Sequence, residues 1–526
     1  MNRPQLREAG DSALLLQLAP VIDPAVNAQA IAIADAIRHR DLLGVRDVVS
    51  TFRSVAVYFD PLKADVDEIS RALRVAVSAA PISNIGRRHE IPVAYGAEHG
   101  PDLDEVATRA GLSSAEVIAR HAGVDYRVFM LGFQPGFAYM GLVDPSIASP
   151  RRESPRVRVP AGAVGIAGRQ TGIYPSSTPG GWQIIGRALE PVFDAGKTPA
   201  ARFAPGDMVT FKPASAGSPP LLNEIVAPTV PKGMHRVTVL CPGLFTTIQD
   251  LGIWGQQGLG VPVSGAMDTF SHAVANLSVG NPRHAASLEA TITGPELRFE
   301  QQTTIALSGA DMAATLDGVA VPMQRPVICA AGSILRFGAR RRGARTYIAM
   351  AGGLMREHRY TVRPIAEAEE IAVGPSVTTT VRGDPARVLP MPSGGARLRV
   401  LPGPQRDELP EGCLESVCGN RFTVSPQSNR VGYRLTGPLV PSRSGDMISD
   451  ATFQGAIQIP PSGEPILLMA DRQTAGGYPQ VAIVITADLP IAAQLAPGDW
   501  MEFEVCSRDE ARRALAEREG MLTGAA

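Results

Sequence analysis

Apolar positions recur at two different spacings along this chain, and the change from one to the other divides it. In the first part both spacings occur. Residues 13–18 form a short apolar run, and residues 25–39 place Val26, Ala30, Ile33, Ala34 and Ile37 on one helical face. Residues 45–50 and 54–59 read as strands. Residues 65–79 carry Val66, Ile69, Leu73 and Val77 on one side of a second helix, and residues 89–95 form a last strand. The order β-α-β-β-α-β is that of a ferredoxin-like sandwich, so a small α+β domain is assigned to residues 1–88. Residues 103–110 and 114–121 predict two short helices, the second capped by Ser113 or Ser114. From Asp125 to about Glu504 the pattern is that of β-strands, and residues 508–520 predict a polar C-terminal helix.

Within the β part, pieces of pattern return. Ala204-Pro205-Gly206-Asp207 leads into the alternating Met208-Val209-Thr210-Phe211, and Ala496-Pro497-Gly498-Asp499 into Trp500-Met501-Glu502-Phe503. Ala331-Gly332-Ser333 before Ile334-Leu335-Arg336-Phe337 is a weaker third copy. Upstream of the strong copies, Gly162-Ala163-Val164 precedes Arg169-Gln170-Thr171, and Gly455-Ala456-Ile457 precedes Arg472-Gln473-Thr474. A shared order with unequal spacing predicts one module used twice with different loops, and the two Arg-Gln-Thr turns mark it. Residues 227–233 read as the linker between the halves.

Composition agrees with a turn-rich β-protein. The 526 residues include 53 Gly and 45 Pro without a period, and exceed what one core can serve. A net charge of -1 gives no field that would recruit nucleic acid or an anionic membrane. The apolar run near the N-terminus is too short for a signal peptide or a membrane span, so a cytoplasmic protein is expected. Cys241, Cys329, Cys413, Cys418 and Cys506 form no zinc pattern, and the eight histidines never fall at metal spacing. No metal site is predicted.

Two nucleotide and hydrolase signatures fail on inspection. Ala195-Gly196-Lys197-Thr198 lacks the earlier glycine of a phosphate loop, since Pro191 stands there without an amide proton. Ser264-Gly265 has Pro262 where a nucleophile elbow needs glycine. Chemistry therefore falls to backbone donors, carboxamides, hydroxyls and a few carboxylates. The loop Gly132-Phe133-Gln134-Pro135-Gly136-Phe137-Ala138-Tyr139 can hold a small polar substrate through Phe133, Pro135 and Phe137, or can be an aromatic-packed turn. Arg169, Gln170, Thr171, Tyr174 and Trp182 bring a guanidinium, a carboxamide, hydroxyls and an indole into one short segment, and Gln170 is the first catalytic candidate. In the second half the corresponding set is Arg472, Gln473, Thr474 and Tyr478. Asp268 is either a catalytic carboxylate or the cap of a helix running to Val279. Asp471 is the other candidate base.

On these motifs the chain resembles a known family over nearly its whole length. Residues 1 to about 228 are similar to the B component of bacterial 5-oxoprolinase (also called the first allophanate hydrolase component), through residues 132–139, Val159-Pro160-Ala161-Gly162, 170–175 and 179–182. Residues from about 235 to 505 resemble the C component (the second allophanate hydrolase component), through Thr247-Ile248-Gln249-Asp250, 260–268, Thr293-Gly294-Pro295-Glu296 and 471–479. The resemblance implies a mainly β fold with a small α+β N-terminal domain and tandem cyclophilin-like β-barrels. They are expected at 89–228 and 396–526, the latter with the C-terminal helix, and a further β domain is expected at 234–395. It also implies ATP with magnesium as cofactor, 5-oxoproline as small-molecule substrate, and a separate 5-oxoprolinase A-type subunit as partner; a homo-oligomer is compatible with it.

The same halves occur in the carboxyltransferase part of urea carboxylase, which implies the alternative of a biotin-dependent carboxyltransferase acting on urea or a related amide. Related small proteins that regulate a sporulation histidine kinase supply a third reading. One departure stands out. Family members carry a Gly-Ser-Arg-Ser-Thr loop after Ala-Gly-Gly, whereas Ala351-Gly352-Gly353 here leads to Met355-Arg356-Glu357-His358-Arg359-Tyr360. A working site is therefore expected first around Gln170 and only second around Gln473.

Overall fold

The computed structural model describes residues 3–78, 86–215, 234–355, 360, 362–375, 389–445 and 447–523. The expected linker at 227–233, Ala79 at the end of the second helix, and residues 356–359 of the altered segment lie outside them. No helix among the described residues is long and apolar enough to cross a membrane.

The N-terminal unit is an antiparallel sheet in the order Gln5–Glu8, Ala13–Gln17, Ser54–Phe59, Val45–Ser50. Helices Pro24–Arg38 and Val66–Ser78 cover one face. The first helix starts where Asp23 accepts hydrogen bonds from the amides of Ala25 and Val26, with Pro24 in the first turn where its missing N–H costs nothing. Leu14, Leu16, Val48, Val55 and Val57 face the helices, while Ala13, Leu15, Val49, Ala56 and Tyr58 face a barrel of the second half. Burial on both faces explains why residues 13–18 read as a continuous apolar run rather than an alternating one.

This corrects the ferredoxin-like expectation. Strand Arg88–Tyr95 does not complete this sheet; it runs parallel to Met208–Pro213 inside the next unit. Its place is taken by the edge strand Gln5–Glu8, which is polar except for Leu6 and so leaves no periodic signal.

Two closed seven-strand barrels follow. Around the first the order is Gln170–Ile173, Ala138–Gly141, Asp125–Leu131, Met208–Pro213, Arg88–Tyr95, Gln183–Ala188, Ala163–Ala167. Around the second it is Ile466–Leu468, Gly432–Thr436, Phe422–Val424, Trp500–Val505, Gly395–Pro402, Gln480–Val484, Ala456–Gln458. Position by position, the connectivity is the same, including one parallel pair that closes each barrel.

The repeated Ala-Pro-Gly-Asp turns are equivalent down to their hydrogen bonds. Asp207 accepts from the Ala204 amide (3.0 Å) and Asp499 from the Ala496 amide (2.8 Å). Gly206 N donates to Val128 O as Gly498 N does to Val424 O. Both glycines have φ above +90°, a conformation that a side chain would strain. Ala331-Gly332-Ser333 makes a similar turn but feeds Ile334–Arg336, an inner strand of an open six-stranded sheet. That sheet packs face to face on a five-stranded one, with Val237, Leu297, Leu335, Leu288, Leu307 and Ile348 between them.

The Arg-Gln-Thr turns, by contrast, are not equivalent. Gly162 N donates to Tyr174 O, and its counterpart Gly455 N donates to Leu468 O, so Tyr174 matches Leu468. Arg169-Gln170-Thr171 therefore precedes that point, at the start of a barrel strand. Arg472-Gln473-Thr474 follows it, before Ala475–Gly476, which pairs with Asp450–Ala451 outside the barrel. The module is repeated; the tripeptide that marked it is a coincidence.

Candidate active site at the junction of the two halves

The first-half loop at residues 132–137 is held by its own backbone. Gly132 N donates to Phe137 O, Gln134 N to Gly132 O, and Phe137 N to Gln134 O. Phe133 has φ +65°, a conformation few non-glycine residues adopt outside tight, constrained turns. Around it Phe137 meets Tyr174 and Trp182 edge to face at 5.3 and 5.4 Å between ring centroids. These three rings are almost fully buried, so they set the shape of the loop rather than offer stacking faces. Burial pushes the Tyr174 hydroxyl up to about 12.

The second half meets this loop directly. Gly136 N donates to Leu259 O at 2.9 Å. A Cβ on Gly132 would lie 2.8 Å from the Ala475 side chain, and one on Gly260 would lie 2.4 Å from the Gln134 carbonyl. These glycines allow three backbone segments from distant parts of the chain to touch. Beside them Gly252 and Gly265, both at positive φ, cross at backbone contact, and Ser264 between them is held at φ +56°. Ser264 N donates to Ala470 O, next to Asp471. Asp471 keeps part of its side chain exposed while Arg430 grips both its oxygens at 2.8 and 3.0 Å.

Ala475 packs with Phe133, Phe137, Tyr174 and Trp182, and the Thr474 hydroxyl lies against Gly132, so the turn carrying Asp471, Arg472 and Gln473 ends at the loop that carries Pro135. Gln473 is exposed. Arg472 and Thr474 are each 1% exposed. Arg472 donates to Gln257 Oε1 at 2.7 Å and lies 6.0 Å from the Tyr58 ring centre, while Nη1 and the Thr474 hydroxyl have no partner among the described residues. Burial pulls the Arg472 guanidinium below its ordinary value. Tyr478 lies apart, lining a polar cavity of about 500 Å³ with Arg434, Glu464 and Gln427.

Four more candidates fall elsewhere. Gln170 pairs with Gly141 and Thr171 with Met140, at the far end of a strand from the loop, about 10 Å away along the strand. Thr171 is fully buried inside the barrel. It donates to Gly165 O (3.0 Å) and accepts from His121 Nε2 (2.9 Å), whose Nδ1 accepts from Tyr95 (2.8 Å). Burial drives His121 down to about 3, so it stays neutral in this tautomer. Arg169 is a surface residue reaching Val143 O at 3.4 Å. Gln170 and Arg169 therefore stand apart from the loop at residues 132–137, and Thr171 faces the barrel interior. Asp268 is fully buried and caps helix Thr269–Ser278 by accepting from Ser271 N (2.8 Å), with Gln494 on its other oxygen (2.7 Å). Its burial raises its pKa, and it takes the capping role.

Sequence reasoning missed Arg430 and Glu289, and took up Ser264 only as a failed nucleophile elbow. Glu289 alone carries a visible signal, as an acid inside the otherwise small or apolar strand Ser287–Thr291. Chemically, Asp471 presents a partly exposed carboxylate whose orientation is fixed by Arg430, and the same guanidinium holds the carbonyl of the Ser264-Gly265 turn, which suits orienting a small amide.

Comparison with known proteins supports the same division. Residues 4–203 match the family model for carboxyltransferase domain subdomains C and D, and residues 259–505 that for subdomains A and B. The chain is 40% identical to the B component of 5-oxoprolinase from Bacillus subtilis over 226 residues, spanning 40% of this chain and 92% of that protein. It is 31% identical to the C component of 5-oxoprolinase from Escherichia coli over 296 residues, 53% of this chain and 94% of that one. Urea amidolyase of Saccharomyces cerevisiae is 29% identical over 52% of the chain, which spans only 17% of that protein. Among solved structures, the protein TTHA0988 superposes with a TM-score of 0.84 at 34% identity, covering 95% of this chain and all of that one. Kluyveromyces lactis urea amidolyase superposes with a TM-score of 0.53 at 26% identity, over 56% of this chain and 20% of that one. The chain belongs to the carboxyltransferase-domain family and joins in one polypeptide the parts found as the separate B and C components of 5-oxoprolinase.

Proposed function

We propose that this chain is the B/C component of an ATP-dependent 5-oxoprolinase, opening the lactam of 5-oxoproline to glutamate together with a separate A-type subunit. The observation that carries the reading is coverage: the chain spans 92% of a B component and 94% of a C component. An unstrained lactam is a poor electrophile, and phosphorylation of its carbonyl oxygen by ATP supplies the leaving group. In this reading the Asp471 carboxylate and the Ser264 hydroxyl bind and orient the lactam, and the loop at residues 132–137 closes the junction over it. No group of three or more His, Cys, Asp or Glu that could hold a metal ion occurs among the described residues; in this reading magnesium would come bound to the phosphates of ATP.

The test is reconstitution. Purified chain with an A-type subunit is expected to consume ATP only when 5-oxoproline is present and to release glutamate. No glutamate above background across a range of mixing ratios overturns the reading. A second reading, carboxyl transfer from carboxybiotin to urea or a related amide, is favoured by the subdomain assignments and by the Kluyveromyces lactis urea amidolyase superposition. Turnover of urea that depends on carboxybiotin would establish it.

A further inference from the structure

A buried ionic network runs from the candidate site into the body of the second half, and only one end of it meets solvent. Arg430 Nε and Nη2 hold Asp471, and Nη2 also donates to the Gly265 carbonyl at 2.6 Å. Nη1 donates to Glu289 Oε1. Glu289 comes from the preceding β unit and is wholly buried; its second oxygen accepts from Met267 N (2.8 Å) and the Tyr347 hydroxyl (2.7 Å). Arg345 Nε stands 3.7 Å from Glu289, and its Nη1 donates to the Tyr433 hydroxyl at 2.7 Å. Two guanidinium groups thus balance two carboxylates. The side chains of Arg345 and Arg430 are 5% exposed and that of Glu289 0%, against 18% for Asp471.

Such a network is a poor source of stability, because desolvating four charges offsets most of their attraction and an apolar replacement often does as well. What it provides is orientation. Arg430 spends its planar fork on Asp471 and the Gly265 carbonyl at once, so one guanidinium fixes both the carboxylate and the left-handed Ser264-Gly265 turn. Glu289 fixes Arg430 in turn, from a different structural unit.

We propose that Arg430 is a positioning residue for the reaction: anchored by Glu289, it sets the Asp471 carboxylate and the Ser264 turn against the substrate amide. This rests on the junction being the site of 5-oxoproline turnover. Asp471 touches substrate; Arg430 acts through it.

Steady-state kinetics with the A-type subunit and 5-oxoproline, normalised to folded protein, test this. Arg430→Lys keeps the charge and loses the fork. It is expected to lower kcat on the order of 100-fold with little change in KM. In the Arg430→Lys/Asp471→Asn double variant kcat falls by less than the two single losses multiplied together, because most of the effect of Arg430 passes through Asp471. Wild-type kcat in Arg430→Lys with a lowered Tm, or strict additivity in the double variant, overturns the proposal. Should Arg430→Lys not fold, Asp471→Glu decides, since that side chain reaches the surface and keeps its charge while moving by one methylene. A large loss of kcat at unchanged Tm supports positioning, and wild-type kcat overturns it. The two levels fail differently. Wild-type kcat in Asp471→Ala overturns the site itself, whereas loss in Asp471→Asn beside wild-type kcat in Arg430→Lys overturns only the positioning. If the wild-type chain turns over no 5-oxoproline, the earlier reading has failed, and the same variants compared in carboxybiotin-dependent carboxyl transfer then decide for or against Arg430 by the same loss of kcat.

Discussion

Thr171 and Asp471 both have side chains suited to catalysis, and their surroundings separate them. Thr171 spends its one proton on Gly165 O and accepts from His121, and both side chains are fully buried in the barrel. Thr171→Val keeps the shape and leaves the His121 N–H without an acceptor. The expected cost is about 1–3 kcal/mol in denaturant unfolding, with unchanged kcat per folded molecule. A large loss of kcat at wild-type stability would instead put Thr171 in the site. Asp268 is similar: its oxygens serve Ser271 and Gln494, so Asp268→Ala is expected to destabilise by at least about 1 kcal/mol, as loss of a helix cap does. Chemical denaturation of the variant gives that figure directly, and wild-type stability would contradict the capping role.

Elements explain why part of this molecule can be read from its sequence and part cannot. The barrel repeat is legible in the Ala-Pro-Gly-Asp turns because each feeds the strand that closes its barrel, a local arrangement with a local signature. Strand Arg88–Tyr95 is recognisable as a strand but not by its sheet, because periodicity gives an element's type and says nothing of its partner. The site is illegible for a third reason. Its two faces, the loop at residues 132–137 and the turn at 471–476, are brought together only by tertiary contact, and the residues that allow it are glycines.

Gly132→Ala would press a Cβ to 2.8 Å from Ala475, and Gly260→Ala would set one 2.4 Å from the Gln134 carbonyl at φ +77°. Both are expected to lower kcat by about 10-fold or more, since displacements near 1 Å at a reacting centre have that effect. Gly111→Ala is the control. Its φ is +66° with nothing within 4 Å, so it is expected to cost about 1 kcal/mol and leave kcat unchanged. Equal kinetic losses in all three variants would show that the junction is not special.

At the scale of the whole molecule, the N-terminal unit is held to the second half by buried acids. Asp11 accepts from the Thr486 amide and hydroxyl, and Asp47 accepts from the amides of Gly255 and Gln257 and from the Gln257 carboxamide. Neither has an ion-pair partner among the described residues, and burial raises both above the ordinary value of 3.8. A carboxyl group whose folded pKa is raised binds its proton more tightly in the native state than in the unfolded chain. Its stabilising contribution is therefore fully present below 3.8 and is lost as pH rises through the folded value. Asn keeps the oxygen acceptor and removes the titration. The Asp11→Asn/Asp47→Asn double variant should thus gain stability relative to wild type as pH rises from about 4 to 8, whatever constant offset the amides introduce. His121 and His272, driven down to about 3 and about 4, titrate with the opposite sign but identically in both proteins, so they cancel in the difference. Denaturant unfolding of the two proteins at matched pH reads that difference. A gap independent of pH would mean that the two carboxyl groups are not held by this interface as described, and that the unit is held by its other contacts, such as Ser54 with Asp450, the Tyr58 hydroxyl on Thr452 O, and the packing of Leu15 and Val49 with Phe453 and Ile483.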